Sequence, residues 1–554
     1  MVTRKCEIMR QYSRAIMHMR EQKNSQRFGL VFGAGISRDF GFPSWWELVK
    51  RIAEDKIVSG SKLIQEIGTK TSISQLLFQN YKSQVMNSIP NGFDEYNKLN
   101  SYIQSGWHRV IHDALYKDVP ENILELKKLD PYLKDYLNII KETKLTINYN
   151  FDDTLETLLS DSRLPKEREV TRGFRTVWSI DVQLYPQNAV IYHPNGYLPR
   201  GFSEKPSDDL IFLEGAFGDQ LIDSVLGHYN TLSYHFSQNT CLFIGMSLED
   251  STLKYLLRKN AILRPGHVHY YIHFLHDNEI IDSEQKRAIR DANFEVYNLV
   301  TLFLNRKGIS TLGQLLSTSD DEVELIADEV DVPTTYRFFL TGSVCAGKTT
   351  LVSNFRSLRT HDEWLEKREA EMHKDPENVQ EDSIIRRIDE WVAQQWRRKN
   401  FILYQAKRPG IDIIDRCALD AFAFTLENQW RKKAAFTRKI ITPQKSKTKL
   451  AKGEIILLLG EPKVMAIRAM KLQKDVTAEQ LAYRQALLRV IYDKDAEGII
   501  ELDTREKSVQ QITKEICRII HINEYNECDL QDRLEKIERG DISPILKKEE
   551  GSEN

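Results

Sequence analysis

The pattern of apolar and polar positions predicts short buried strands alternating with amphipathic helices. Apolar residues recur every three or four positions from Glu7 to about Glu21, which predicts a helix. The apolar run RFGLVF at residues 27–32 follows and ends on glycines, as a buried strand does before a turn. Residues 45–145 show mainly helical spacing. Further strand-like runs are LTINYN, AVIYH, LIFL, CLFIGM and HVHYYIHFL.

This alternation of strands and helices favours the α/β class, with a Rossmann-like parallel sheet in the N-terminal half. After an acidic stretch that closes on Pro333, the run YRFFLTGSVCAGKTTLVSNF begins a second α/β domain with the later strands GIDIIDR, EIILLLG and GIIELD. We therefore predict a domain at residues 1–316 with a helical insertion at about 45–145, an acidic linker at 317–333, a second domain at 334–525 and a polar tail at 526–554.

Composition and charge exclude several function classes. Lys and Arg number 78 against 80 Asp and Glu, so no overall field draws the chain to nucleic acid or to an anionic membrane. No apolar run approaches the roughly 20 residues that span a bilayer, and the charged start does not resemble a signal peptide, so we expect a cytoplasmic protein without membrane contact. The six cysteines form no C-x2-C pair, which argues against a zinc ribbon.

A basic stretch at residues 438–452 is the one local candidate for nucleic-acid binding. It has no interleaved aromatic residue beyond Phe436 just before it. We therefore expect a solvated loop there and no nucleic-acid partner.

The first candidate site begins at GAGIS, directly after the strand at residues 27–32. Gly33 and Gly35 let the backbone turn tightly and approach a pyrophosphate, although two glycines after a strand can also form a simple turn. The motifs GFPSWWEL, TINYNFDDTLE, YHPNGYLP and CLFIGMSLEDSTL follow in order. Together they resemble the sirtuin-like domain of bacterial antiphage defence proteins over roughly residues 25–315.

The resemblance implies NAD+ as the ligand and assigns roles to matching positions. Asn150 matches the family's catalytic asparagine, with Asn148 as an alternative register, and His193 is the candidate for the catalytic histidine. The match of Gly41, Pro43 and Trp45 to the family's G-x-P-x-W supports the same alignment. The implied NAD-binding residues are Gly33, Ala34, Gly35, Ser37, Asp152, Asn195, Gly196, Gly245 and Ser247.

Two of these assignments have alternatives. Most relatives read His-x-His-Gly in the third motif, whereas this chain reads His193-Pro194-Asn195-Gly196. The domain is active if His193 serves as the imidazole, and it is a non-catalytic binding module if a histidine must precede the glycine directly. Asp152 is either a ligand-binding group or a helix N-cap.

The chemistry of NAD+ cleavage suits these residue types. Breaking the bond between nicotinamide and ribose creates positive charge at the anomeric carbon, as in glycoside cleavage. An asparagine amide holds water and ribose hydroxyls without charge, and an imidazole takes up a proton near pH 7. Because the zinc ribbon of the deacylating sirtuins has no counterpart among the cysteines, the sequence favours hydrolysis to ADP-ribose and nicotinamide over deacylation.

The second candidate site is the pattern G-x4-G-K-T after the strand FFLTG. Backbone N–H groups of such a P-loop cradle phosphates, its lysine reaches the β and γ oxygens, and its threonine holds Mg²⁺. ATP or a (deoxy)nucleotide with Mg²⁺ is the expected ligand, and Thr349 and Asp415 are the candidate metal ligands. The residues assigned to this nucleotide site are Gly342, Gly347, Lys348, Thr349, Asp415 and Arg416.

The second domain resembles nucleoside and nucleotide kinases of the thymidylate kinase kind, whose Asp-Arg follows such a strand. Arg468, Lys471 and Lys474 are candidates for a lid over the phosphates, or they form a solvated helix face. A long charged insertion after the P-loop departs from the family pattern and suggests a sensor.

The two resemblances together predict a function. We expect an antiphage effector that hydrolyses NAD+ when its kinase-like domain senses a nucleotide or a phage-derived trigger. The alternatives are an active (deoxy)nucleotide kinase with a regulatory sirtuin-like domain, and a non-catalytic sensor of NAD or ADP-ribose. Relatives commonly assemble, so a homo-oligomer is expected.

Overall fold

The chain folds into two compact units in the computed structural model. The first comprises residues 1–12, 22–263 and 268–330, and the second comprises residues 13–21, 264–267 and 331–554. The charged insertion and the basic stretch of the sequence analysis fall partly outside the described residues. The structure describes residues 2–62, 64, 73–88, 96–120, 132–160, 173–179, 188–201, 206–207, 210–227, 229–276, 279, 281–367, 382–405, 408–442 and 449–544.

The first unit is built on a seven-stranded sheet in which every strand pair is parallel. Its order is β3-β4-β2-β1-β5-β6-β7. The strands are β1 (Phe28–Phe32), β2 (Leu145–Asn148), β3 (Phe174–Val177), β4 (Ala189–Tyr192), β5 (Thr240–Ile244), β6 (His269–Phe274) and β7 (Leu299–Leu304).

Twelve described helices precede the second sheet in the chain, and helix α1 carries a kink at Tyr12. They are α1 (Val2–Asn24), α2 (Trp45–Ala53), α3 (Ile73–Ser88), α4 (Tyr96–Tyr116), α5 (Leu137–Glu142), α6 (Thr154–Ser160), α7 (Glu214–Leu226), α8 (Asn230–Gln238), α9 (Ser251–Leu263), α10 (Ser283–Tyr297), α11 (Arg306–Ser317) and α12 (Asp320–Glu329). Short 3-10 turns lie at Ala34–Ile36, Arg38–Phe40 and Tyr132–Tyr136.

Strand β1 lies at the point where the strand order of the first sheet reverses. The chain leaves β1 towards β2, β3 and β4 on one side and then returns to β5 on the other side. All five residues of β1 and all five of β5 are buried, because helices cover both faces of a parallel sheet. In α/β sheets, ligands bind beside such a switch point, at the carboxyl ends of the strands.

The second unit has a five-stranded parallel sheet of order β12-β11-β8-β10-β9. Strand β8 is its centre and again lies where the order reverses, between β10 and β11. The strands are β8 (Thr335–Gly342), β9 (Arg359–His361), β10 (Gly410–Asp415), β11 (Glu454–Leu459) and β12 (Ile499–Asp503).

Seven described helices follow β8, with 3-10 turns at Ala418–Phe424 and Glu427–Gln429. They are α13 (Lys348–Val352), α14 (Asp382–Gln405), α15 (Trp430–Ile441), α16 (Pro462–Lys471), α17 (Ala478–Ile491), α18 (Val509–His521) and α19 (Leu530–Arg539).

The structure confirms the predicted α/β class with two parallel sheets. The apolar run LIFL at residues 210–213 is not a strand, so that prediction is wrong: it forms a turn before α7 in which Phe212 is buried against aromatic rings. A four-residue apolar run does not distinguish a strand from a buried turn.

Two predicted boundaries need correction because buried apolar side chains continue past them. Helix α12, inside the range assigned to an acidic linker, buries Val323, Ile326 and Ala327. Helix α19, inside the range assigned to a polar tail, buries Leu534 and Ile537 in the core of the second unit. Packed structure therefore extends to Ile542.

None of the helices in the described ranges is both long enough and apolar enough to cross a membrane.

The packing of α19 predicts a large loss of stability on truncating one of its core residues. Leu534 is fully buried, so Leu534→Ala should lower the free energy of unfolding by about 2–5 kcal/mol through lost apolar contact and a cavity. The neighbouring exposed Glu535→Ala should change it by less than about 0.5 kcal/mol. Urea unfolding followed by circular dichroism measures both, and equal effects would show that α19 is not part of the core.

Candidate functional site

Three neighbouring strands of the first sheet carry the candidate site at their carboxyl ends. β1 is followed by Gly33, β2 by Tyr149 and Asn150, and β5 by Gly245. β2 and β5 pair with β1 on opposite sides in parallel register, so the three loops emerge at one edge of the sheet. Motifs that lie far apart in the sequence therefore meet at the switch point.

The glycines of the first loop allow two backbones to touch. The N–H of Gly33 donates to the carbonyl of Ile244 at 3.0 Å, and the N–H of Gly35 donates to the carbonyl of Gly245 at 2.9 Å. A Cβ on Gly35 would lie 2.6 Å from the Cα of Gly245, and Gly245 itself has φ +71°. These N–H groups are engaged within the protein, while Ala34 is exposed between them. The glycines thus serve the close approach of the loops after β1 and β5.

Asn150 is fixed against the first loop by its side-chain amide. Its Nδ2 donates to the Gly33 carbonyl at 3.0 Å and to Ser37 Oγ at 3.2 Å, and its backbone N–H donates to Asn148 Oδ1 at 3.2 Å. No described residue donates to the amide oxygen of Asn150, and that oxygen is not among the buried polar atoms without a partner. The amide oxygen therefore remains open to a ligand.

Asn148, the alternative catalytic asparagine, closes β2 and is fully buried. Its side chain supports the turn that presents Asn150, which makes it part of the frame of the site.

Asp152 ties the first loop to the start of α6. Its Oδ2 accepts from Ser37 Oγ at 2.9 Å and its Oδ1 accepts from the Thr154 N–H at 3.1 Å. Burial raises the pKa of Asp152, although the hydrogen bonds from Thr154 and Ser37 oppose the rise. Both oxygens are used within the protein, which favours the capping alternative over direct contact with a ligand.

His193 is fully buried and both of its ring nitrogens have partners. Nδ1 lies 2.7 Å from the backbone carbonyl of Asn150, and Nε2 lies 2.9 Å from Glu156 Oε1. Burial lowers the pKa of His193, but the Glu156 carboxylate and the two hydrogen bonds outweigh it, so the pKa lies above its ordinary value. The imidazole is thus fixed between the backbone carbonyl of Asn150 and the carboxylate of Glu156.

Asn195 is half-buried beside the same turn. Its Nδ2 donates to the Tyr149 carbonyl at 3.4 Å and its Oδ1 accepts from Gln220 Nε2 at 3.2 Å. Gly196 has φ +108°, a conformation that favours glycine. The amide of Asn195 therefore links β2 to α7 and does not approach His193 through a hydrogen bond among the described residues.

The loop after β5 presents the last predicted residues. Tyr271 OH donates to the Met246 carbonyl at 2.8 Å and fixes the loop, while Ser247 is exposed. Asp250 accepts from the Leu253 N–H at 2.6 Å at the start of α9. The hydroxyl of Ser247 is therefore accessible at the carboxyl edge of the sheet.

A chain of aromatic rings leads from the surface to the site. Trp45 is 43% exposed, and its ring centroid lies 4.6 Å from that of Phe212, which lies 6.3 Å from Phe151 between the two site residues Asn150 and Asp152. Ser44 caps α2 through a capping box with Glu47, which sets the position of Trp45. On this side the site is bordered by apolar rings, of which Trp45 is the exposed one.

A comparison with known protein families matches a part of the chain that contains several of these site residues. A model of the SIR2-like domain family matches residues 144–301. No curated protein matches the chain. The SIR2-like segment, as we name residues 144–301, contains β2 to β6 and the first half of β7. It includes Asn150, His193 and Gly245, and it supports NAD as the ligand class of this site. The Gly33–Ser37 loop and the second sheet, which begins with β8, lie outside it.

Sequence reasoning missed Glu156, the carboxylate of the SIR2-like segment that contacts His193. Glu156 lies in the first turn of α6, where an acidic residue is ordinary because it faces the positive end of the helix dipole. Its burial against an imidazole is a tertiary feature that no local pattern reveals.

In the second unit, Lys348 lies at the start of α13 at the carboxyl end of β8. Its Nζ donates to the carbonyls of Gly342 and Ser343, each at 2.8 Å. Burial and the neighbouring Arg416 together lower the pKa of Lys348 to about 7, against the pull of Asp420 and Asp415. Gly347 has φ +92°, and a Cβ there would meet no atom within 4 Å. The loop thus borders open space.

Thr349 and Asp415 form a direct contact at the ends of β8 and β10. Thr349 Oγ1 donates to Asp415 Oδ2 at 2.7 Å, and Asp415 Oδ1 is buried without a partner among the described residues. A hydroxyl next to a carboxylate with a spare oxygen suits Mg²⁺, which completes its shell with water and phosphate oxygens. In the described ranges no three His, Cys, Asp or Glu side chains form a metal cluster of their own.

Arg416 is held away from solvent by carboxylates that the sequence did not indicate. Its Nε donates to Glu363 Oε1 at 2.5 Å, and its Nη1 lies 3.6 Å from Asp420 Oδ2. Arg416 has φ +68°, an unusual backbone for a residue other than glycine. Lys399 Nζ donates to the Asp415 carbonyl at 3.1 Å.

A cleft of about 460 Å³ opens beside Thr349. The side chains that line it, four of them charged, are Thr349, Asp362, Glu363, Trp364, Leu365, Glu366 and Lys367. The lid candidates Arg468, Lys471 and Lys474 are exposed on α16 and the turn after it.

The contact between the two glycine loops generates a stability prediction. Gly35→Ala places a Cβ against the backbone of Gly245, so it should lower the free energy of unfolding by about 1–3 kcal/mol. Gly218→Ala, in the exposed middle of α7 with no atom within 4 Å of its Cβ, should instead raise it by up to about 1 kcal/mol. Unfolding midpoints in urea compare the two, and changes of the same sign would contradict the close approach.

Proposed function

We propose that the first unit hydrolyses NAD+ to ADP-ribose and nicotinamide. The observation that carries the proposal is Asn150: its amide nitrogen is bound by Gly33 and Ser37, and its amide oxygen is open at the switch point. Asn150 lies within the SIR2-like segment. A neutral amide oxygen in this place would hold the attacking water beside the anomeric carbon as positive charge develops there.

Water is the proposed acceptor of the ADP-ribosyl group. Deacylation needs a second cleft for an acylated peptide, and in the resembling deacylases a four-cysteine zinc ribbon frames it. All six cysteines of this chain are free, and the described residues contain no cluster of metal-ligating side chains.

In this proposal His193 acts through Asn150 rather than on NAD+ directly. Its Nδ1 is bound to the Asn150 carbonyl and its Nε2 to Glu156, so neither nitrogen is free to take a proton from water. The imidazole instead keeps Asn150 in place.

We further propose that the second unit binds ATP or a deoxynucleotide and controls the hydrolase. Lys348 and the open space at Gly347 support phosphate binding, and Thr349 with Asp415 would hold Mg²⁺. When bound, Mg²⁺ would supply positive charge for the phosphate oxygens. In an antiphage effector, a phage-altered nucleotide or phage protein would be the trigger, and loss of NAD+ would stop the infected cell.

A second candidate activity, phosphoryl transfer by this unit, is favoured by Asp415 Oδ1. A buried carboxylate oxygen without a protein partner next to Thr349 can serve a metal ion or an acceptor hydroxyl. Purified protein incubated with labelled ATP and deoxynucleosides or their monophosphates tests it. Transfer that disappears in Asp415→Ala supports a kinase, and absence of transfer in the parent protein supports a switch that only binds.

Loss of the Asn150 side chain should abolish NAD+ cleavage. We expect Asn150→Ala to retain less than about one hundredth of the parent rate, because the group that holds the water is removed. His193→Ala should also abolish cleavage, since the carbonyl of Asn150 loses its donor. Chromatography of the products from NAD+, with and without candidate nucleotides, measures the rates.

Asn195→Ala is the matched control. Asn195 bonds to Tyr149 and Gln220, so its replacement should cause a milder loss of NAD+ cleavage. Unfolding midpoints establish that each variant is folded. Full turnover in His193→Ala together with a dead Asn195→Ala would show that Asn195 occupies the essential position.

Removing the Lys348 ammonium should distinguish between two hypotheses for the second unit, a nucleotide sensor that controls the hydrolase and an independent kinase. Lys348→Ala weakens phosphate binding, so in the sensor it also removes the nucleotide's power to shift the hydrolase to its active state. We expect triggered NAD+ loss in infected cells to disappear. Asp415→Ala should lose phosphoryl transfer but keep part of the activation.

Lys507→Ala serves as the control for that experiment, since Lys507 pairs with Glu515 outside the phosphate loop. It should deplete NAD+ like the parent protein. If Lys348→Ala also depletes NAD+ at the parent rate during infection, the phosphate loop has no part in triggering.

A further inference from the structure

Glu156 is a buried carboxylate inside the SIR2-like segment with no role in the scheme so far. Its side chain is 4% exposed. Oε1 accepts from His193 Nε2 at 2.9 Å and from Thr176 Oγ1 at 3.2 Å, while Oε2 is buried without a partner among the described residues. A buried charge is costly unless a nearby partner compensates it, so the contact with His193 is the one that allows this carboxylate to be there.

The contacts of His193 fix where its protons are. Nδ1 faces the backbone carbonyl of Asn150, which only accepts, so Nδ1 carries a proton. Nε2 faces a carboxylate oxygen, so a second proton lies between His193 and Glu156. The pair is therefore neutral overall, and the raised pKa of His193 favours the proton on the imidazole.

The Asn150 residue is held from every side by this arrangement. Its carbonyl accepts from His193, its N–H donates to Asn148, and its amide nitrogen donates to Gly33 and Ser37. Of these contacts, the one to His193 alone is made by a titratable side chain.

We propose that Glu156 is a positioning residue of the NAD+ site, which clamps His193 against the Asn150 carbonyl and so aims the Asn150 amide at the ribose. This inference rests on the proposed NAD+ hydrolysis. Glu156 touches no substrate in this scheme and acts only through His193.

The surroundings of His193 set the expected pH dependence. Glu156 faces it from α6, Asp152 from the turn after β2, and the ring of Tyr197 from the loop after β4 at 4.8 Å. Burial lowers the pKa of His193, and Glu156 raises it above the ordinary value. His193 is therefore fully protonated at low pH and loses this proton as the pH rises through the raised pKa. We expect NAD+ cleavage to fall over the same range, which defines an alkaline limb of the pH–activity profile.

Glu156→Gln keeps the shape of the side chain and removes its charge. We expect kcat for NAD+ cleavage to fall about tenfold or more at pH 8 with little change in KM, and the alkaline limb to move to lower pH by at least about one unit. The pKa of His193, measured by NMR of labelled imidazoles without NAD+, should also move to a lower value. Glu156→Asp, which retains the carboxylate, should restore part of the lost rate.

Asp135→Asn is the control, because Asp135 accepts from Ser310 and Gln314 and should leave the alkaline limb unchanged. A purely structural Glu156 would lower stability in Glu156→Gln and leave the limb in place, which overturns the proposal. Should Glu156→Gln fail to fold, the parent protein still decides: a His193 that is neutral at pH 7 by its nitrogen shifts refutes the clamp.

The two hypotheses fail in different ways. If the parent protein does not cleave NAD+ under any trigger but Glu156→Gln lowers the pKa of His193, the hydrolysis proposal is wrong and the Glu156 proposal stands. If the parent cleaves NAD+ and Glu156→Gln has the same pH profile, hydrolysis stands and the clamp is wrong.

Discussion

The backbone contact between Gly35 and Gly245 sets the positions of the side chains around it. Because neither residue carries a side chain, the loops after β1 and β5 approach until an N–H of one meets a carbonyl of the other. That approach places Ser37 and the Gly33 carbonyl where Asn150 bonds to both. Any larger residue here would separate the loops and disturb the partners of Asn150.

Both units hold a key side chain through carbonyl oxygens of the loop at the centre of the sheet. The Asn150 amide donates to Gly33, and the Lys348 ammonium donates to Gly342 and Ser343. The two cases differ in charge. Asn150 is neutral and keeps an open oxygen. Lys348 is a buried amine whose pKa is lowered to about 7, so its charged form is costly without further negative charge beside it.

Sequence patterns predicted the strands that carry the sites because those strands are continuous apolar runs bounded by glycines. β1, β5 and β8 are examples, and the residues after them lie at the expected edge. The short β3 and β9 are half-exposed edge strands with little apolar signal, so they were missed. Glu156 was missed because its significance depends on His193, 37 residues away, and on burial, which no local spacing reports.

The distances along the chain between the site's partners have a kinetic consequence. Ser37 and Asp152 are 115 residues apart, and Gly33 and Asn150 are 117 apart. Contacts between remote segments form late, because closing the long loop between them costs chain entropy before the contact contributes any favourable free energy. β5, which completes the frame, leaves the ribosome still later than β2. A chain under synthesis therefore contains the first motifs well before they meet, and the candidate site is complete only when β5 has joined β1.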